Sequence, residues 1–342
     1  MEGSALANAV EADEAVLAVE NLSVDVKSDR RTLSIVRDVS FTVGRGETVG
    51  LVGESGCGKT MTSLAIMQLL PRQARIAQGS VRLGGQDLTS LPRRTLEDIR
   101  GQEIAMIFQD AMRSLNPAFT VGDQIGDVMR RHKGLRRAAA RKRAIELLDY
   151  VGIPRAAQRI DDYPHMFSGG MAQRVMIASA ISCEPKVLIA DEPTTALDVT
   201  IQSQVLRLLR RFQLELGLGL VFITHDLGVV AEVCDRVAVM YAGQIVEQGE
   251  VVELFERPQH PYTAGLLGLL PLEGRKSADL VPIPGTVPMP SEWPAGCRFA
   301  PRCPHVEEGR CAAGPVPLEQ LRVGRTVRCV RHEELALEGV AR

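Results

Sequence analysis

Apolar and polar positions alternate along Leu17–Val26 and Leu33–Val43, with β-branched residues among the apolar ones, so both segments read as strands. Gly44-Arg45-Gly46-Glu47 is a turn, and Thr48–Val52 is a short apolar run entering a Gly-rich loop. Helical spacing runs from Thr60 to Leu70, where Pro71 is expected to stop it. Val81–Leu83 with Gly84-Gly85 reads as a hairpin arm, and Ile104–Phe108 as a buried strand. From Val121 to about Ser182 the period turns helical, and the basic stretch Arg130–Arg143 reads as a solvated helix face. Strand-like runs return at Val187–Ala190, Leu220–Thr224 and Arg236–Tyr241, and Ala264–Leu270 has an amphipathic helical pattern. Strands separated by helices imply an α/β fold, a mostly parallel sheet with helices on both faces. After Pro271 the composition shifts to Pro, Gly and Cys with weak periodicity, which marks a small appended region held by something other than a large core.

Composition narrows the partners. The 342 residues carry a formal net charge of −2, so there is no global basic field and no nucleic-acid partner is expected. Residues 1–16 are Ala- and Glu-rich, lack the basic start and apolar stretch of a signal peptide, and read as a disordered lead-in. The longest apolar runs fall far short of the ~18–20 residues that cross a bilayer. Of seven cysteines, Cys57, Cys183 and Cys234 are scattered, as small buried hydrophobes usually are. Cys297, Cys303, Cys311 and Cys329 fall close together, which in a cytosolic protein suggests metal more than disulfides. Their spacing matches neither a zinc ribbon nor a ferredoxin run, and so leaves the metal open, along with unligated thiols or two disulfides.

The chemistry begins at Gly53-Glu54-Ser55-Gly56-Cys57-Gly58-Lys59-Thr60, which fits the P-loop pattern G-x-x-x-x-G-K-[ST] between a predicted strand and a predicted helix. Its glycines let backbone N–H groups surround phosphate oxygens, Lys59 reaches the β- and γ-phosphates, and the Thr60 hydroxyl ligates Mg²⁺. Val187-Leu188-Ile189-Ala190-Asp191-Glu192 is an apolar strand ending in two carboxylates: Asp191 to bind Mg²⁺ through water, Glu192 to polarise the attacking water. At Phe167-Ser168-Gly169-Gly170-Met171-Ala172-Gln173 the hydroxyl and two glycines before a helix make a second anion-binding N-terminus. One chain has no need of two phosphate sites for one nucleotide; two chains facing head to tail would use both.

These segments resemble, in order, the landmarks of the ABC ATPase family over about residues 17–270. Ser168-Gly169-Gly170 is similar to the signature motif, with Met171 where many members have Gln. Gln109 resembles the Q-loop glutamine that contacts Mg²⁺ and water, Ala196-Leu197-Asp198 the D-loop, and His225 the switch histidine at the γ-phosphate. The resemblance implies a RecA-like P-loop core with an antiparallel β subdomain and a helical subdomain at about residues 110–183. It also implies ATP and Mg²⁺ as ligands, with Glu192, His225, Gln109 and Lys59 catalytic. The aromatic residue that normally stacks on adenine should fall near Val26, where none stands.

Phe108–Pro117, the Met form of the signature, Ala190–Asp198 and His260-Pro261-Tyr262-Thr263 resemble the peptide-importer branch, specifically its D-type ATPase subunit. Ala111 stands where that branch commonly has Pro. The resemblance implies a homologous F-type ATPase partner, two integral membrane permease subunits and an extracytoplasmic solute-binding protein. It places the chain peripherally at the cytoplasmic face of the membrane, with nickel, glutathione or opines as alternative solutes to peptides. Cys297-Arg298-Phe299-Ala300-Pro301-Arg302-Cys303-Pro304 is similar to the branch's C-terminal motif. That resemblance favours a [4Fe-4S] cluster on Cys297, Cys303, Cys311 and Cys329 over zinc, in an extension spanning residues 271–342.

Overall fold

The structure, a computed structural model, describes residues 15–27, 31–195, 197–270 and 282–340. The expected lead-in therefore lies almost wholly outside the described residues, as do Ala196 of the D-loop resemblance and the start of the extension. In chain order the strands are β1 (Leu17–Lys27), β2 (Thr32–Val43), β3 (Thr48–Val52), β4 (Ala74–Leu83), β5 (Gln86–Asp87) and β6 (Ile104–Ile107), then β7 (Val187–Asp191), β8 (Gly219–Thr224), β9 (Arg236–Tyr241), β10 (Gln244–Glu250), β11 (Glu319–Arg322) and β12 (Arg325–Val327). The chain forms two compact units. One holds the described residues of Met1–Val43, Thr48–Thr89 and Ile223–Arg342; the other holds Gly44–Glu47 and Ser90–Phe222.

In the first unit, β1 is central in an antiparallel sheet of order β2-β1-β4-β5. Its register shifts at Asn21, where φ is 49°, and a side chain on Gly79 opposite would overlap the Glu20 carbonyl. A bulge this tight needs glycine on the facing strand. β4 extends well before the expected Val81–Leu83, because its first half, Ala-Arg-Ile-Ala-Gln, is exposed on one face and too polar to show a strand pattern. The helix after β3 runs Lys59–Ile66 and closes at Gln68, in left-handed conformation at φ 54°. It ends ahead of Pro71, which is therefore not what stops it.

A second set of strands in this unit runs β11-β12-β10-β9-β3, with β3 parallel to β9 and the others antiparallel. The sequence pattern does not reveal β10, whose centre is the fully buried Glu247 paired with Arg325 of β12 at 2.7 Å. The Cys-bearing tail thus does more than hang from the core. It adds two strands, β12 and then β11, to the edge of the sheet and sends an arginine into it.

In the second unit, β6 lies parallel to β7 with Ile104 opposite Val187 and Ile107 opposite Ala190, in the order β8-β7-β6. Helices Val121–Lys133 and Arg137–Tyr150 bear out the expected helical stretch. Thr120 caps the first through Asp123 N at 3.1 Å, and its last turn holds four basic side chains that suit the helix dipole. Arg131 pairs with Asp98 at 2.6 Å, and Arg141 with Asp161 at 2.6 and 2.7 Å. The basic stretch is a solvated, internally paired face.

Candidate nucleotide site

β3, buried along its whole length, delivers the chain into the loop Gly53–Gly58. Gly53, Gly56 and Gly58 hold φ of 152°, 79° and 109°, values that side-chain-bearing residues rarely adopt. At Gly53 a Cβ would also overlap the Met240 carbonyl, so the turn is closed to any other residue. Lys59 is 5% exposed, and its Nζ donates to the carbonyls of Gly53 at 2.6 Å and Glu54 at 3.0 Å. The ammonium is therefore folded over the loop that cradles phosphate in this motif. Thr60 is exposed at the helix start, while Cys57 is buried, with its Sγ 3.8 Å from Lys59 Nζ. Burial pushes the Cys57 thiol up, and the nearby Lys59 ammonium opposes that rise.

The loop has a neighbour that motif reading missed. Tyr262 Oη accepts from Glu54 N at 3.0 Å, and Arg302 Nη1 donates to both Glu54 carboxylate oxygens at 3.1 Å. Both residues lie inside segments singled out for other reasons, and no spacing rule links them to a P-loop more than 200 residues earlier.

On the second unit, β7 ends in Asp191, 2% exposed, followed by Glu192. Glu192 has φ of 47° and accepts at one oxygen from Gln109 Nε2 at 2.8 Å and from Thr195 Oγ1 at 2.9 Å. Gln109 follows β6, parallel to β7, and that pairing brings an amide and a carboxylate 83 residues apart into contact. The carboxylate stays solvent-accessible, so its orientation rather than its burial is what the surroundings impose.

Ser168 caps the helix Gly169–Ile181, its Oγ accepting from Met171 N at 3.4 Å. A Cβ on Gly170 would lie 2.8 Å from Ile201 Cγ2, so the glycine permits close approach of the helix Val199–Leu216. Gly169 has open space around it. Arg159 stacks on Phe167 at 4.2 Å and reaches Met171 Sδ at 3.5 Å, which gives the Met form of this segment its own packing partner. Asp198 accepts from Ile201 N at 2.9 Å and caps the next helix; its carboxylate serves the backbone. His225, on the first unit, follows β8, and Asp226 beside it caps the helix Leu227–Val233.

The pattern of the ABC transporter family matches residues 36–195, and that of the oligopeptide/dipeptide transporter C-terminal region matches residues 246–311. An ATP-binding protein of Brucella abortus (strain 2308), named for peptide import, is 52% identical over 314 residues, covering 92% of this chain and 94% of its own. The dipeptide transport ATP-binding protein DppD of Bacillus subtilis (strain 168) is 49% identical over 320 residues, covering 93% of each chain. The chain belongs to the ABC transporter family. Its fold is the ABC ATPase fold: the cassette MJ0796, solved as a dimer in a post-hydrolysis state with ADP and Pi, superposes with a TM-score of 0.62 at 26% identity, over 69% of this chain and 98% of that one. Its activity is that of an ATP-hydrolysing transport ATPase. Among the described residues, no helix of this ABC chain is long and apolar enough to cross a membrane.

The C-terminal cysteines of this ABC chain converge. Cys297, Cys303, Cys311 and Cys329 line one cavity of about 20 Å³ together with His260 and Phe299. Cys297 N donates to the Cys311 carbonyl at 2.8 Å, and Glu307 N to Cys311 Sγ at 3.5 Å. Burial raises the thiols of Cys297 and Cys303, and that of Cys329 to about 11. All four are free, so the two-disulfide alternative is not what the structure holds. A soft, all-sulfur donor set suits zinc or an iron–sulfur cluster. As placed, however, no three His, Cys, Asp or Glu side chains among the described residues are spaced to hold a metal ion, and the expected enclosure by four thiolates is not seen. The cavity is about the size of one water and would have to open to admit a cluster.

Proposed function

We propose that this chain binds ATP at Gly53–Thr60 and hydrolyses it to energise an ABC importer for peptides. The observation that carries this reading is the pair of built half-sites on one chain. One is the glycine-shaped loop with Lys59 folded over it; the other is the capped helix at Ser168-Gly169-Gly170. The matched oligopeptide/dipeptide C-terminal region and the named roles of the relatives support peptides as the solute, ahead of nickel, glutathione or opines.

In this mechanism the N–H groups of Gly53–Gly58 and Lys59 bind the phosphates, and Ser168 with Gly170 closes the corresponding site of a partner ATPase. Gln109 and Thr195 fix the Glu192 carboxylate so that it orients the attacking water. His225 is assigned to the γ-phosphate and Asp198, beyond its capping role, to the dimer contact. Thr60, Asp191 and Gln109 offer hard oxygen donors of the kind Mg²⁺ takes, and Mg²⁺, when bound, neutralises charge on the phosphates. The partners are a homologous F-type ATPase, two permease subunits that supply the membrane path, and indirectly a solute-binding protein. The chain sits at the cytoplasmic face, with residues 17–270 as the ATPase domain, the helical subdomain at about 110–183, and residues 271–342 as the Cys-rich extension.

Recovery of the tagged chain from membranes, followed by mass spectrometry, tests this. Integral membrane subunits and a second ATPase should co-purify, and peptides should stimulate ATP turnover of the assembly. Recovery without any integral membrane protein would overturn the transporter reading.

The cysteines carry a second proposal, a structural [4Fe-4S] cluster on Cys297, Cys303, Cys311 and Cys329, with zinc as the alternative. Their gathering around one cavity supports it, and metal ligation would bring the raised thiols down to thiolates. Anaerobically purified protein should absorb near about 400 nm and contain iron. Colourless protein with stoichiometric zinc would sink the iron–sulfur version.

A further inference from the structure

Glu54, the second residue of the P-loop, is gripped by three side chains. Tyr262 takes its N–H at 3.0 Å, Lys59 donates to its carbonyl at 3.0 Å, and Arg302 holds both carboxylate oxygens at 3.1 Å. The Arg302 side chain is 6% exposed against 29% for Glu54, so the arginine is the fixed member of the pair. Its Nε donates to the Pro284 carbonyl at 2.7 Å, its Nη2 to Gly285 at 3.3 Å, and its Nη1 also reaches Tyr241 Oη at 3.4 Å. Tyr241, Tyr262 and Phe299 pack ring against ring beside it, with centroids 4.7 to 5.3 Å apart. A planar fork anchored this way presents one geometry to one carboxylate.

A P-loop gathers N–H dipoles and one ammonium to receive a polyanion. A carboxylate in that loop is a like charge toward the ligand and raises the free energy of binding unless it is neutralised and held aside. We propose that Arg302 is a positioning residue for nucleotide binding, holding the Glu54 carboxylate so that the loop faces phosphate without a competing negative charge. The proposal rests on the reading of Gly53–Thr60 as the phosphate cradle. It gives the C-terminal segment a direct part in the ATP site, since Arg302 lies between Cys297 and Cys303 in sequence.

The test measures the ATP dissociation constant of the full-length chain, and KM and kcat for hydrolysis by that chain assembled with its partner ATPase, in wild type, R302A, R302K, E54Q and the E54Q/R302A double variant. R302A should weaken ATP binding and raise KM by about tenfold while kcat changes less than about twofold, with R302K in between. Removing the unpaired charge in E54Q/R302A should restore affinity to that of E54Q alone. A structural anchor for the tail would give no such rescue: a double variant no better than R302A, or an R302A that binds as wild type, overturns the proposal. Should R302A fail to fold, R302K against E54Q/R302K carries the same comparison, and absence of rescue there overturns the proposal too. A wild-type chain that binds no ATP would instead refute the phosphate-cradle reading itself.

Discussion

Glu192 pairs a left-handed backbone with two hydrogen bonds to one oxygen, from Gln109 and Thr195. Such a conformation costs on the order of 1–3 kcal/mol at a non-glycine residue and persists where the surroundings hold it. E192Q keeps the shape and loses the charge that polarises water. It should bind ATP at near wild-type affinity and lower kcat by about 10²- to 10⁴-fold, read in a phosphate-release assay. Gly53 sets a stricter demand, because a side chain there meets the Met240 carbonyl at an already strained φ. G53A should abolish nucleotide binding in a titration with ATP, while G56A, where a Cβ meets open space, should be milder. Gly53 and Glu192 themselves are legible in sequence because each stands in a short local motif. Arg302 and Tyr262 are not, because their role depends on which distant loop the fold brings against them.

Strands and helices diverged from their sequence patterns where polar residues were buried or apolar ones exposed. β10 has the sequence Gln-Ile-Val-Glu-Gln-Gly-Glu, yet Glu247 is fully buried, bonded to Arg325 and to the backbone N–H groups of Gln259 and His260 at 2.7 and 3.0 Å. Burial raises the Glu247 carboxyl, and the facing Arg325 opposes that rise. Breaking such a pair from one side strands a charge, at a cost of about 3–5 kcal/mol. E247A should therefore lower the denaturation midpoint well beyond any surface control, and E247A/R325M should recover part of it. The helix Gly169–Ile181 is the converse case, legible because its cap, Ser168, and its run of apolar residues are local. S168A should cost the helix about 1 kcal/mol, too little to unfold the chain.

At the scale of the molecule, the proposed phosphate loop and the capped helix at Ser168 lie on one chain, so the proposed mechanism calls for two chains. S168A should leave ATP binding to the isolated chain intact and depress hydrolysis in the assembled pair, and E192Q with ATP should accumulate as a dimer on size-exclusion chromatography. Turnover that is independent of protein concentration and of any partner would contradict this. The order of motifs along the chain by itself determined the family, and it supplied the proposed ATP loop, the proposed carboxylates after β7 and the expectation of a second subunit. Those features are written in short runs of residues whose chemistry does not depend on what packs around them. Only the tertiary structure decided that Gln109 meets Glu192, that the tail supplies β11 and β12 and buries Arg325, and that Arg302 grips the P-loop. Each of these joins residues at least 70 positions apart, and a pairing of that kind is set by strand register and by the cost of leaving a buried charge alone, which no local pattern records.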